Sequence, residues 1–303
     1  MADQLRSLVN PALLHAIRET IFPFSETEPL DFTLVADQGF GGGRSPTTPD
    51  TVRRQAWLFL VALSKLCLDN VPDMTTFLPT PSDPGFARQA MGLQLLLDQM
   101  PRRLCQGVDC RWTNAYFDVI SLKYAQTLDT LPDDQKPWSW AQWKDSSTLD
   151  YWILVRTCFI VPFTHTDRIE MQDRSLAFAE ETRRAIEEAT GTVDPYRAQR
   201  AELLSDIYAF PRVIREGPPK EGVKIQDYTY WVLMLMDVHK PIVEKFGRYP
   251  YRNAYFGRED TAEELEWFEK TRDFARPSRE ARDQLKADFN AGVWTPLDEG
   301  LHL

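Results

Sequence analysis

Apolar residues recur at intervals of three and four along nearly all of the 303-residue chain, and this spacing limits the fold more than any other feature. It lines up one apolar stripe on an α-helix but scatters those residues over both faces of a strand. The stretch 48–70 shows the pattern: Thr48 stands as an N-cap, Pro49 at a favoured first position, and Val52, Ala56, Phe59, Leu60 and Leu63 form the stripe. Similar stripes cover 84–100, 114–128, 147–161, 171–190, 194–210, 227–246, 261–271 and 278–292. Short alternating runs bounded by turn residues, the mark of a sheet, are missing. The expectation is an all-α fold of stacked antiparallel helix pairs in one domain, 1–303, with irregular stretches at 22–48, 131–147 and 217–222.

The apolar runs from Trp57 and Tyr230 are broken by Lys65 and Asp237, too early to span a bilayer. The first twenty residues lack the apolar stretch of a secretory signal, so an intracellular, cytoplasmic protein is expected, with Cys67, Cys105, Cys110 and Cys158 as free thiols. A net charge of −10 argues against a broad basic face for nucleic acid, leaving only local patches.

Several motifs carry possible chemistry. Gly39–Ser45, "GFGGGRS", lacks the Lys and the glycine spacing of a phosphate loop and is read as a flexible loop. Asp133 and Asp134 have no third carboxylate three residues on and are read as a solvated loop, not a magnesium motif. In "LLLDQMPRRL", Asp98 and Gln99 end an apolar run and Pro101 is expected to start a new direction before Arg102 and Arg103; Asp98 and Arg102, four apart, could also be a plain helix ion pair. "PFTHTDRIEMQDRS" gathers His165, Asp167, Gln172, Asp173 and Arg174, and a salt-bridged helix start is the competing reading. His165 and Asp167, two apart, do not share a helix face, so neither a metal site nor a cofactor is assigned. In the loop after His239, Arg248, Arg252, Asn253 and Arg258 alternate with Tyr249, Tyr251, Tyr255 and Phe256, which suits a carboxylate or phosphate ligand, or an anchor to the core.

Together "LLLDQMPRR", "PFTHTDRIEMQDRS" and "FGRYPYRNAYFGREDTAEE" resemble, in the same order, the elements of the domain-of-unknown-function 924 family, which has a tetratricopeptide-like α fold. The resemblance covers about 92–268, leaves 1–50 as an extension and marks 131–147 and 190–224 as insertions. The chain departs from the pattern at Arg103, Asp167, Asp173 and Tyr251, where the family has Asn, Glu, Glu and His. It implies that Asp98, Gln99, Arg102, His165, Asp167, Gln172, Asp173, Arg174, Arg248, Arg252 and Asn253 converge on one pocket.

Larger relatives look like the fungal arginine-containing cyclodipeptide synthases of secondary metabolism, transferases that draw on aminoacyl-tRNA, arginyl-tRNA included. That resemblance implies His165 as general base with Asp167 as its neighbour, Asp98 as a further catalytic group, and carboxylates for a guanidinium. The tRNA would meet local patches: Arg53 and Arg54, Arg102 and Arg103, or the stretch from Lys240 to Arg252. Two other readings stay open. A magnesium-dependent terpene cyclase would place the metal on Asp98, Asp167 and Asp173, and a carbocation against Trp112, Tyr116, Trp152 and Tyr255. A helical-repeat module that binds a peptide would need no polar cluster.

Overall fold

A computed structural model describes residues 2–40 and 47–300, and within them the chain is all-α with no strand. The periodic stretches become the helices Ala2–Leu8, Pro11–Ile21, Asp50–Ser64, Phe86–Leu104, Asp118–Asp129, Leu149–Thr164, Ile169–Thr190, Ile225–Asp237, Lys240–Phe246, Ala262–Thr271 and Arg279–Ala291. None is long and apolar enough to cross a membrane. Beyond Gly39 and Phe40, the glycine-rich stretch lies outside the described residues.

Local chemistry sets the ends. Asn10 and Thr148 cap their helices by accepting the N–H groups of Leu13 and Tyr151, and Thr261 and Glu264 form a reciprocal capping box. Gly191 and Gly247 stop two helices in the left-handed conformation.

Four expectations need correction. Thr48 is not the cap: the helix starts at Asp50, with Pro49 at the cap position and no side-chain bond. The stretch 22–48 is not wholly irregular, because Asp31 accepts from the N–H groups of Thr33 and Leu34 and starts the helix Phe32–Phe40. The stripe 194–210 is not one helix. Asp194 and Asp206 each accept the N–H two residues on, leaving a 3-10 turn at Pro195–Gln199, a single turn at Arg200–Leu203 and a restart at Ala209–Glu216. Pro101 starts no new direction, since helix 86–104 runs through it. The proline removes only the donor for the Leu97 carbonyl, one turn from the end.

Helices 118–129 and 169–190 fill the spaces between helices 86–104, 149–164 and 225–237. Helices 149–164 and 169–190 pack on each other across a turn of only four residues, so they run antiparallel. Helix 11–21 crosses helix 86–104 in backbone contact at Gly92, where a Cβ would lie 2.5 Å from the Leu14 carbonyl oxygen. One buried apolar cluster extends from Leu5 to Leu297. The C-terminal stretch folds back onto helix 50–64, with the Trp57 indole N–H donating to the Asp298 carbonyl at 2.8 Å.

Candidate functional site

Gln94, Asp98 and Arg102 follow one another at intervals of four and so form one stripe on helix 86–104. Thr157, Val161 and His165 do the same along helix 149–164 and the residue after it, and Tyr228, Leu235 and His239, seven and four apart, share one face of helix 225–237 and its first turn beyond. All nine residues line a single cavity of about 410 Å3, a size suited to a small molecule. The three helices bring their C-terminal ends together at its polar end, where Asp98, Arg102, His165 and His239 stand. Phe22, Phe24 and Val35, from before residue 48, close an apolar wall.

An alternating line of charge leads away from that polar end. Asp98 is buried, and its Oδ1 lies 3.1 Å from His165 Nδ1 and 3.4 Å from Arg102 Nη1. Arg102 Nη2 lies 2.6 Å from the same His165 nitrogen and 2.7 Å from Asp118 Oδ1. The other oxygen of Asp118 accepts from Arg252 at 3.0 Å. Arg252 lies 3.7 Å from Asp167, which accepts from Arg258 at 2.7 Å. The sequence of groups is therefore Asp98, Arg102, Asp118, Arg252, Asp167, Arg258, and each charge inside the line lies between opposites, as burial requires, while Arg258 ends it partly exposed. Burial would raise the Asp98 carboxyl, but Arg102 and His165 beside it prevail and hold it well below the ordinary carboxylate range.

Backbone irregularity serves this line. Residues 113–117 form a π-helical turn directly before Asp118, and the Asn114 carbonyl accepts a hydrogen bond from Arg252. The turn carrying His165 is clamped by Gln172, buried, whose amide donates to the Thr164 and Thr166 carbonyls at 2.9 and 2.8 Å. Tyr249 adds a third bond by donating its hydroxyl to the Thr164 carbonyl at 2.8 Å.

His239 was not among the residues chosen from sequence. Its Nδ1 lies 2.7 Å from the Leu235 carbonyl, an acceptor only, so Nδ1 carries the proton and Nε2 carries a lone pair. Burial pushes this imidazole down to about 3. The Phe210 ring lies over it, with centroids 3.8 Å apart. Asp118 and Arg258 lie outside the set expected to converge, although the loop reading already counted Arg258 among its arginines. An acid in register with Leu122 and Ala125 on the buried side of helix 118–129 was the available signal for Asp118; nothing in the pattern set Arg258 apart from the arginines beside it.

The expected single pocket is smaller than the list drawn from sequence. Asp98, Gln99, Arg102 and His165 line the cavity, and Asp167 and Arg252 stand behind it in the line of charge. Arg248 instead grips Glu264 through two bonds of 2.7 and 2.9 Å, and Asn253 holds Asp260 at 2.9 Å, so both pin their loop. Arg174 grips Asp129 in the same two-bonded way, tying helix 169–190 to helix 118–129. Asp173 is 59% exposed and pairs with Lys240. The carboxylate beside His165 is Asp98, not Asp167, because the turn directs Asp167 towards the Tyr249 N–H and Arg258.

Asp98, Asp167 and Asp173 therefore do not converge as a magnesium site. One ligand atom from each of Asp98, Asp118 and His165 lies within 4.8 Å of the others, but the Arg102 guanidinium already sits against Asp118 and His165, and a metal ion there would face its charge. The expected basic patches are largely paired: Arg53 with Asp50, Lys240 with Asp173, Lys245 with Glu263, Arg248 with Glu264, and Arg252 with Asp118.

A family model described as "Bacterial protein of unknown function (DUF924)" matches residues 81–272, more than half of the chain. No curated protein and no solved structure matches it. The charged end of the cavity lies within the matched segment, whereas the apolar wall of Phe22, Phe24 and Val35 lies outside it.

Proposed function

We propose that this chain, which belongs to the DUF924 family, is an aminoacyl-tRNA-dependent cyclodipeptide synthase that joins arginine to a second amino acid. One observation carries the reading. At the polar end of the cavity, His165 Nδ1 lies between an acceptor, Asp98, and a donor, Arg102, while its Nε2 has no partner among the described residues.

An aminoacyl-tRNA ester is already activated, so the enzyme has to position an α-amine against the ester carbonyl and move one proton. With Nδ1–H donating to Asp98, His165 Nε2 has a free lone pair and can take the proton from the attacking amine. The C–N bond forms, the C–O bond to the ribose breaks, and Nε2 returns the proton to the ribose oxygen. Repeating the step within the dipeptidyl ester closes the ring and releases the second tRNA. Three helix C-termini, each partly negative, favour a cation at this end and offset the Arg102 charge that an arginine substrate would meet there. With the basic patches largely paired, tRNA binding should weaken only gently as salt rises.

The test incubates purified protein with total tRNA, arginyl-tRNA synthetase, further synthetases and amino acids, with mass spectrometry as the readout. A cyclic arginine-containing dipeptide that disappears on RNase treatment is expected, and His165→Gln should reduce it by about 10²–10⁴-fold. No product from fully charged tRNA would overturn the reading. A parallel tube with farnesyl diphosphate and magnesium would expose a terpene cyclase, and inactivity in both tubes would leave a binding module.

A further inference from the structure

The proton-moving residues occupy only one end of the cavity, and the remainder is lined mainly by apolar side chains. From Tyr228 to His239 the lining spans eleven residues, about 16 Å at about 1.5 Å per residue. His239 stands where this apolar lining meets the polar end and offers a hydrogen-bond acceptor there. Its ring is buried and packed on Phe210, its Nδ1–H is committed to Leu235, and its Nε2 has no partner among the described residues. An imidazole fixed in this tautomer accepts but cannot donate.

We infer that the apolar part of the cavity is a subsite for an uncharged group that carries a hydrogen-bond donor, such as a phenol, an indole or a hydroxyl, and that His239 Nε2 reads that donor. A ligand of the same shape without the donor leaves Nε2 unsatisfied, and a carboxylate meets a lone pair. Both are disfavoured, because a site built around a polar partner rejects analogues lacking it more strongly than an apolar pocket rejects a missing methylene. As a statement about the second amino acid the inference rests on the synthase reading; as a statement about binding it stands without it. His239 remains neutral at working pH, as its depressed proton affinity requires.

Three probes of matched skeleton test it by direct binding: p-cresol, toluene and 4-methylbenzoate, followed by ligand-observed NMR on the full chain. The expected order is p-cresol over toluene by about tenfold, with 4-methylbenzoate weaker still. His239→Phe keeps a ring on Phe210 and should bind p-cresol and toluene alike. Selective 15N labelling of the four histidines gives a readout that needs no variant: one neutral imidazole should shift its lone-pair nitrogen with p-cresol and not with toluene. Equal binding of p-cresol and toluene by the unaltered protein, or an unmoved histidine spectrum, overturns the inference. If no cyclic dipeptide forms but p-cresol is preferred, the synthase reading falls and the subsite stands. If the synthase makes product from phenylalanine as readily as from tyrosine and p-cresol shows no advantage, the subsite falls and the synthase stands.

Discussion

Arg183 and Arg102 each lie among carboxylates on helices that share one core, yet their surroundings end differently. Arg183 is fully buried and donates to Asp194 at 2.5 Å, Asp237 at 2.9 Å and Glu180 at 3.0 Å. Arg200 takes both oxygens of Asp237, and Arg197 bridges Glu180 and Glu187. This cluster closes on itself and ties the stretch after Gly191 to helices 169–190 and 225–237. Around Arg102 the pairing is as dense, but polar atoms are left over among the described residues: Gln94 Oε1 and Arg252 Nε are buried without partners there, and His165 and His239 each keep an Nε2 that no described residue bonds. The lesson is that paired charge alone does not mark a site. Unused hydrogen-bonding capacity beside a cavity does, because that is what a ligand can complete.

Three measurements would break or sharpen the contrast, in order of expected effect on stability. Arg183→Met should cost about 3–5 kcal/mol in chemical denaturation, because it strands the buried Asp194 carboxylate and leaves Asp237 with Arg200 as its one remaining cation. A loss under about 1 kcal/mol would mean that the closed cluster is not what holds these helices together.

The second concerns pH. His239 titrates at about 3 when folded and at 6.5 ordinarily, so between these values the unfolded chain binds a proton that the folded chain refuses. Its stabilising contribution is complete above about 6.5 and is lost as pH falls towards about 3, with a slope approaching 1.4 kcal/mol per pH unit. Denaturation at pH 7, 6 and 5 should show a shallower decline for His239→Phe than for the unaltered chain; parallel curves would remove the buried neutral imidazole from the account.

The smallest effect on stability belongs to His165→Gln, expected within about 1 kcal/mol since the side chain is partly exposed and one ring nitrogen is unbonded. A loss as large as that of Arg183→Met would make His165 a brace rather than a working group.

The helices were largely legible because their stripes are long, and the Asp98–Arg102 pair because four residues bring two side chains onto one face. The error lay in treating neighbours in sequence as neighbours in space. "QDR" in "MQDRS" sits on a helix that turns about 100° per residue. Gln172 therefore points inward to clamp the turn, Asp173 outward to Lys240, and Arg174 sideways to Asp129. Asp118 and His239 were left out of the expected pocket for the complementary reason: each gains its meaning from a partner on another element, as Arg258, read only as one of its loop's arginines, gains its own from Asp167.

The wall formed by Phe22, Phe24 and Val35 divides the molecule's evolutionary freedom. Substitutions or insertions in this stretch can reshape the chamber while the charged line and the clamped histidine turn remain untouched. Descendants of one ancestor can thus trade one bound molecule for another by altering a few dozen residues near the beginning of the chain, with little disturbance to the charged end.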